Sequence, residues 1–145
     1  MSDINTIEWA DIPLGTTNNC INLVERELGI RFPSDYRDFA LKFAGAKPIS
    51  KADFDLMIND VCFNAEVGLF LSFNYDDSEN VLLCKQEIED LPDSLVPITS
   101  GGGSDCVCFD YQEDNTEPTI VFWKFGLDEP VRFAKNFTDF INLLY

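Results

Sequence analysis

The chain has 145 residues, of which 46% are hydrophobic and 13% aromatic, and its 26 acidic against 10 basic side chains leave a net charge of −16 with no histidine at all. That hydrophobic content excludes a disordered chain, and the charge argues against nucleic acid or an anionic membrane surface, both of which need clustered Lys and Arg. Without imidazole the chain lacks the commonest general base, the commonest zinc ligand and the usual partner of a Ser or Cys nucleophile.

Trp9 lies in a less regular opening segment and is expected to cover a sheet edge. Thr16 or Thr17 then caps a helix that runs to about Leu28, with Ile21, Val24 and Leu28 on one face and Gly29 as its stop. Arg31-Phe32-Pro33-Ser34 opens a second helix. Its Tyr36, Phe39, Ala40 and Phe43 form an apolar stripe, and Gly45 ends it. So short a connection makes the two helices neighbours.

After Pro48 the pattern turns to strands. Val67, Leu69, Leu71 and Phe73 alternate with Gly68, Phe70 and Ser72. Asp76-Asp77-Ser78 is expected to cap a short third helix carrying Val81, Cys84 and Ile88 on one side, ended by Leu91-Pro92-Asp93. Val96–Thr99 reads as a short strand, and the glycine turn Gly101-Gly102-Gly103-Ser104-Asp105 leads into a strand from Cys106 to Tyr111. An acidic loop over 112–117 precedes Thr119–Phe125, a strand apolar on both faces and so placed centrally in the sheet. Pro130–Phe133 is a last strand. Asn136 or Thr138 caps a final helix that buries Phe137, Phe140, Ile141 and Leu144.

The order predicts one α+β domain over residues 1–145: a mostly antiparallel sheet of about five or six strands, with two N-terminal helices, one middle helix and a C-terminal helix packed on it. A chain of this length buries roughly 70% of its unfolded surface and needs no metal or disulfide to hold a core.

Charge is uneven along the chain. Residues 1–52 carry six basic and seven acidic side chains, residues 53–117 carry one basic (Lys85) and sixteen acidic, and residues 118–145 carry three of each. The five cysteines, Cys20, Cys62, Cys84, Cys106 and Cys108, form no C-x-x-C pair. No basic, apolar leader opens the chain and no run approaches a membrane span. Free and mostly buried thiols in a reducing cytoplasm are expected.

Three groups of residues are candidates for chemistry. The glycine turn at 101–103 offers amides to an anion. However, no Lys-Ser/Thr follows it, and a strand succeeds it where a phosphate loop needs a helix, so a tight turn is the simpler reading. Cys106 and Cys108 share a strand face, where buried small hydrophobes compete with a metal pair, and no second closely spaced pair exists. Asp76, Asp77, Glu79, Asp105, Asp110, Glu113 and Asp114 are the candidate partner-binding residues. For them a solvated surface and a docking patch for a basic protein both stay open. The spacing around Asp110 lacks the glycine and ligand pattern of an EF-hand. No catalytic residue, metal site or cofactor is assigned.

Several motifs resemble one family. Val24-Glu25-Arg26-Glu27-Leu28-Gly29-Ile30-Arg31-Phe32-Pro33-Ser34-Asp35-Tyr36-Arg37-Asp38-Phe39 resembles the E-x-x-L-G-hydrophobic-x-L-P-x-D-Y-x-x-F opening of the SUKH superfamily, the Smi/Knr-like fold. Leu95–Ile98 with Gly103–Asp110, Ile120–Trp123 and Phe133–Phe140 resemble its later motifs in order, so the likeness covers roughly residues 20–145. The chain departs from the pattern at Ser104, between Gly103 and Asp105, and at Lys124-Phe125-Gly126, where many members carry a His and an acid. The resemblance implies a cytoplasmic, non-catalytic protein-binding module. In the bacterial branch it implies an immunity protein that neutralises a toxin, often a nuclease; the net charge adds the expectation of an acidic surface facing a basic toxin domain. The alternatives are a regulatory or scaffold domain with another protein partner, and an enzyme built on carboxylates and a metal.

Overall fold

The structure, a computed structural model, describes residues 6–13, 15–101, 105–112 and 117–145. Along the chain run β1 (Trp9–Ala10), α1 (Asn18–Leu28), α2 (Ser34–Phe43), β2 (Lys47–Pro48), β3 (Asp53–Ile58), β4 (Val61–Glu66), β5 (Leu69–Phe70) and α3 (Val81–Glu87). Then follow β6 (Leu95–Pro97), β7 (Thr99–Ser100), β8 (Cys106–Asp110), β9 (Thr119–Trp123), β10 (Val131–Ala134) and α4 (Phe137–Leu143).

The helical entry forms as its residues dictate. The Thr17 hydroxyl accepts the Cys20 N–H at 3.3 Å, and Gly29 closes α1 at φ 67°, a left-handed position that favours glycine. Glu25 holds the corner into α2. One carboxylate oxygen accepts the Phe32 N–H at 2.6 Å and the other accepts from the Arg37 guanidinium at 2.8 Å. Asp35 then ties α2 to α4 by accepting the N–H and hydroxyl of Thr138 at 3.0 and 2.8 Å. The conspicuous polar residues of the opening motif are therefore fasteners.

The antiparallel strands divide into one four-stranded sheet, ordered β10–β9–β8–β6, and three two-stranded ribbons, β1–β2, β3–β4 and β5–β7. The α+β architecture stands, with β9 central as its two-faced apolar pattern requires. One face of the sheet turns Val96, Val107, Phe109, Ile120 and Phe122 into the main core. Tyr36 sits among the rings of Phe109, Phe137 and Phe32, with centroids 5.0, 5.1 and 5.2 Å away, and Phe39 packs on Phe70 at 4.7 Å. The opposite face carries a smaller cluster of Leu95, Cys106, Cys108, Val121 and Trp123, against which Ile88 and Leu91 pack. Such two-sided burial removes solvent from nearly every apolar side chain of β8 and β9.

Four expectations change. The third helix is capped by Asn80, whose side chain accepts the Leu83 N–H at 2.8 Å, and not by Asp76, Asp77 or Ser78, which lie in the loop before it. The alternating stretch over 67–73 yields only the two-residue β5, and Phe70 and Leu71, which alternation would set on opposite faces, are both buried. Trp9 does not cover a sheet edge: β1 pairs with β2, and the indole stacks on Phe43 at 4.6 Å beside Phe39 and Phe70. The thiols are not mostly buried. Cys106 and Cys108 are, Cys20 and Cys84 are partly so, and Cys62 is exposed.

A further hairpin, β3–β4, was not foreseen. Its signal was Asn59-Asp60 between two strand-like runs; both residues take positive φ, 51° and 66°, as a two-residue hairpin turn requires.

Candidate docking surface

The register of the four-stranded sheet sets one end of its outer face. Asp110 pairs with Thr119 and Cys108 with Val121, so these side chains share the face that carries the smaller apolar cluster. Arg132 pairs with Val121 and joins them. Beyond the apolar cluster this face opens into a groove of about 550 Å³. Asp110, Glu117 and Glu129 supply its negative charge, Arg132 its positive charge, and Pro92 and Pro130 form part of its wall. Asp110 also accepts the Gln112 N–H at 2.9 Å, which fixes the chain where it leaves β8.

The expected acidic residues fall in three places. Asp76, Asp77 and Glu79 occupy the loop before α3. There the Asp77 carboxylate accepts the Glu79 N–H at 3.1 Å, and the Asp76 N–H donates to the Asn74 side chain at 3.1 Å. Asp77 also borders a separate cleft of about 350 Å³ with Cys20, Leu23 and Tyr75. Asp105 stands at the start of β8, where its carbonyl accepts the Gly101 N–H at 3.1 Å, and Asp110 stands at the other end. Five residues of extended chain separate the two by roughly 17 Å, so they do not form one pair. Glu113, Asp114 and the glycines 102 and 103 lie outside the described residues. Glu117 and Glu129 join Asp110 in the groove and were not singled out from the sequence; the pairing of Asp110 with Thr119 is what brings Glu117 near.

The described acids between residues 53 and 117 make no ion pair. Among the described residues the ion pair is Arg37–Glu25, well outside the acidic stretch. Lys85, the one cation between residues 53 and 117, is occupied by backbone: its ammonium donates to the carbonyls of Asp93 and Leu95, both at 2.7 Å. Burial pulls its pKa below the ordinary lysine value.

The cysteines behave as small hydrophobes or surface groups. Cys106 and Cys108 bring their sulfurs to 3.3 Å in the smaller cluster, and burial followed by the hydrogen bond to Cys106 pushes the Cys108 thiol up. Among the described residues no group of three or more Cys, Asp or Glu side chains could hold a metal ion. Nor is any described helix long and apolar enough to cross a membrane.

Comparison with known proteins agrees with this architecture. The chain is 27% identical to the SPbeta prophage-derived uncharacterized protein YokK of Bacillus subtilis (strain 168), over 94% of this chain and 78% of that protein. The model of the SMI1 / KNR4 family (SUKH-1) matches residues 15–143. That span takes in the α1–α2 corner, every strand of the four-stranded sheet and the whole of α4, so the chain belongs to the SMI1 / KNR4 family (SUKH-1).

Proposed function

We propose that the chain is a cytoplasmic immunity protein that neutralises a toxin domain by occupying its basic surface, without turnover. The observation that carries this reading is the unpaired acidity. Fifteen net negative charges lie between residues 53 and 117, no described carboxylate there makes an ion pair, and the single lysine is bound to backbone. Uncompensated charge of one sign costs folding energy through self-repulsion, and it speeds encounter with an oppositely charged partner. A nuclease toxin, whose groove must attract phosphates, presents the complementary field. The acidic groove at Asp110, Glu117 and Glu129 is a place for a partner's Lys or Arg side chain to enter. Membership of the SUKH-1 family and a relative described as prophage-derived support the same setting.

The test is co-expression with the protein encoded by the adjacent gene. Wild-type chain should restore growth and co-purify with that protein. Replacing Asp110, Glu117 and Glu129 together with Lys should weaken the complex while leaving the fold intact. Growth arrest that the wild-type chain does not relieve would refute the reading.

A further inference from the structure

The β3–β4 hairpin has an edge that neither the core nor the acidic groove uses. Its register pairs Ile58 with Val61, Leu56 with Phe63 and Phe54 with Ala65. Bonded and non-bonded pairs alternate in an antiparallel ladder. The Val67 N–H donates to the Ala52 carbonyl at 2.8 Å, which sets the parity. The backbone groups of Val61, Phe63 and Ala65 therefore point to β3, and those of Cys62, Asn64 and Glu66 point away from it. At the far edge of β3 Asp53 exchanges hydrogen bonds of 3.0 and 2.9 Å with Tyr145, which meets the strand at its first residue. The far edge of β4 pairs with no described residue.

Open edges are ordinarily blunted by Lys, Pro, a bulge or a covering element. Val61–Glu66 contains no Lys and no Pro, and its register is unbroken. Apolar side chains remain at the surface: Val61 is 54% exposed and Phe63 47%. The two faces differ in kind. Val61, Phe63 and Ala65 line one, and Asp53, Asp55 and Glu66 lie on the other together with Asn64, Cys62 and Met57. Between residues 53 and 66 there are four acids and no cation, so a second copy of the chain would meet its own charge.

We propose that β4 is a docking edge on which an extended segment of a protein partner, alternating apolar and basic residues, adds as a third strand. Main-chain bonds to Cys62, Asn64 and Glu66 supply affinity. The apolar residues of the segment cover Val61 and Phe63, while its cations face Asp55 and Glu66. This rests on the protein-binding reading above only for the existence of a partner.

A capped peptide of alternating Lys and Val, titrated into the 15N-labelled chain, tests the edge directly. The amides of Cys62, Asn64 and Glu66 should shift and gain protection from exchange, and a Glu-Val peptide should leave them unmoved. Cys62→Pro removes one outward N–H and leaves the ladder to β3 in place, so it should weaken binding about tenfold or more; Cys62→Ala should bind as wild type. Phe63→Lys, at an exposed position, should weaken binding similarly and guards against misfolding of the proline variant. Absence of shifts at β4, or shifts centred on Asp110, would overturn the proposal. So would a concentration-dependent dimer abolished by Phe63→Lys, since a second copy would then be the occupant. Growth rescue separates the two readings. A Cys62→Pro chain that still rescues retires the edge and keeps the immunity function; a wild-type chain that binds peptide but does not rescue does the reverse.

Discussion

Replacing Glu25 with Ala should destabilise the fold by about 2–4 kcal/mol. The carboxylate accepts two hydrogen bonds, from the Phe32 N–H at 2.6 Å and from Arg37 at 2.8 Å. A hydrogen bond to a charged group contributes about 1.5–3 kcal/mol when made, and a buried donor left without a partner costs about 1–3 kcal/mol. Two effects keep the sum toward the lower end. The side chains of Glu25 and Arg37 are 15% and 21% exposed, so water can reach them in part. Arg37 also keeps its bonds to Asn18 at 3.1 Å and Asn22 at 2.9 Å. For a domain of this size the change corresponds to a fall in Tm of roughly 5–12 °C, readable by circular dichroism with urea melts as a check. Glu25→Gln, which retains an acceptor, should lose about half as much. Because Glu25 acts as a fastener and lies far along the chain from the acidic stretch, partner affinity per folded molecule should not change. A variant within about 0.5 kcal/mol of wild type would refute the assignment of the opening motif to scaffolding.

Other outcomes follow from single contacts. Gly68→Ala should cost about 1–3 kcal/mol in a urea melt, because a Cβ there would stand 2.7 Å from the Ser100 carbonyl oxygen within the β5–β7 region. Thiol labelling of the native chain should modify Cys62 first, with Cys106 and Cys108 reacting only on unfolding. Alkaline stability should decline from about pH 9. Burial, with smaller contributions from Glu79 and other neighbours, pushes Cys84 up to about 11, and burial also raises Tyr36 and Tyr111. Each folded group then holds its proton more tightly than the unfolded chain does, so its stabilisation is complete below the unfolded pKa and is lost as pH rises toward the folded one; a pH series of melts, with tyrosinate absorbance read alongside, measures this.

The helices were legible because their signals are local. Thr17, Gly29 and the stripe from Tyr36 to Phe43 depend on neighbours within a few residues. The central place of β9 was legible for a related reason, since a strand apolar on both faces must be covered on both. The β3–β4 hairpin carried a strand signal in the alternation Asp53-Phe54-Asp55-Leu56, but its outer strand is exposed along nearly its whole length and shows no buried face to match. The acids could be counted but not placed. That Asp110 shares a groove with Glu117 and Glu129, while Asp105 lies at the far end of the same strand, follows from register, which only pairing reveals. Lys85 read as a lone charge in an acidic stretch; its bonds to two backbone carbonyls come from the tertiary approach of α3 to β6.

Stopped-flow association of the purified chain with the protein encoded by the adjacent gene, the proposed toxin, followed across a series of salt concentrations, addresses the central claim most directly. Steering by an unpaired acidic field predicts an association rate that falls by about tenfold or more between low and physiological ionic strength, with a shallower slope once Asp110, Glu117 and Glu129 are replaced by Lys. A rate indifferent to salt, or a slope that this replacement leaves untouched, would contradict it.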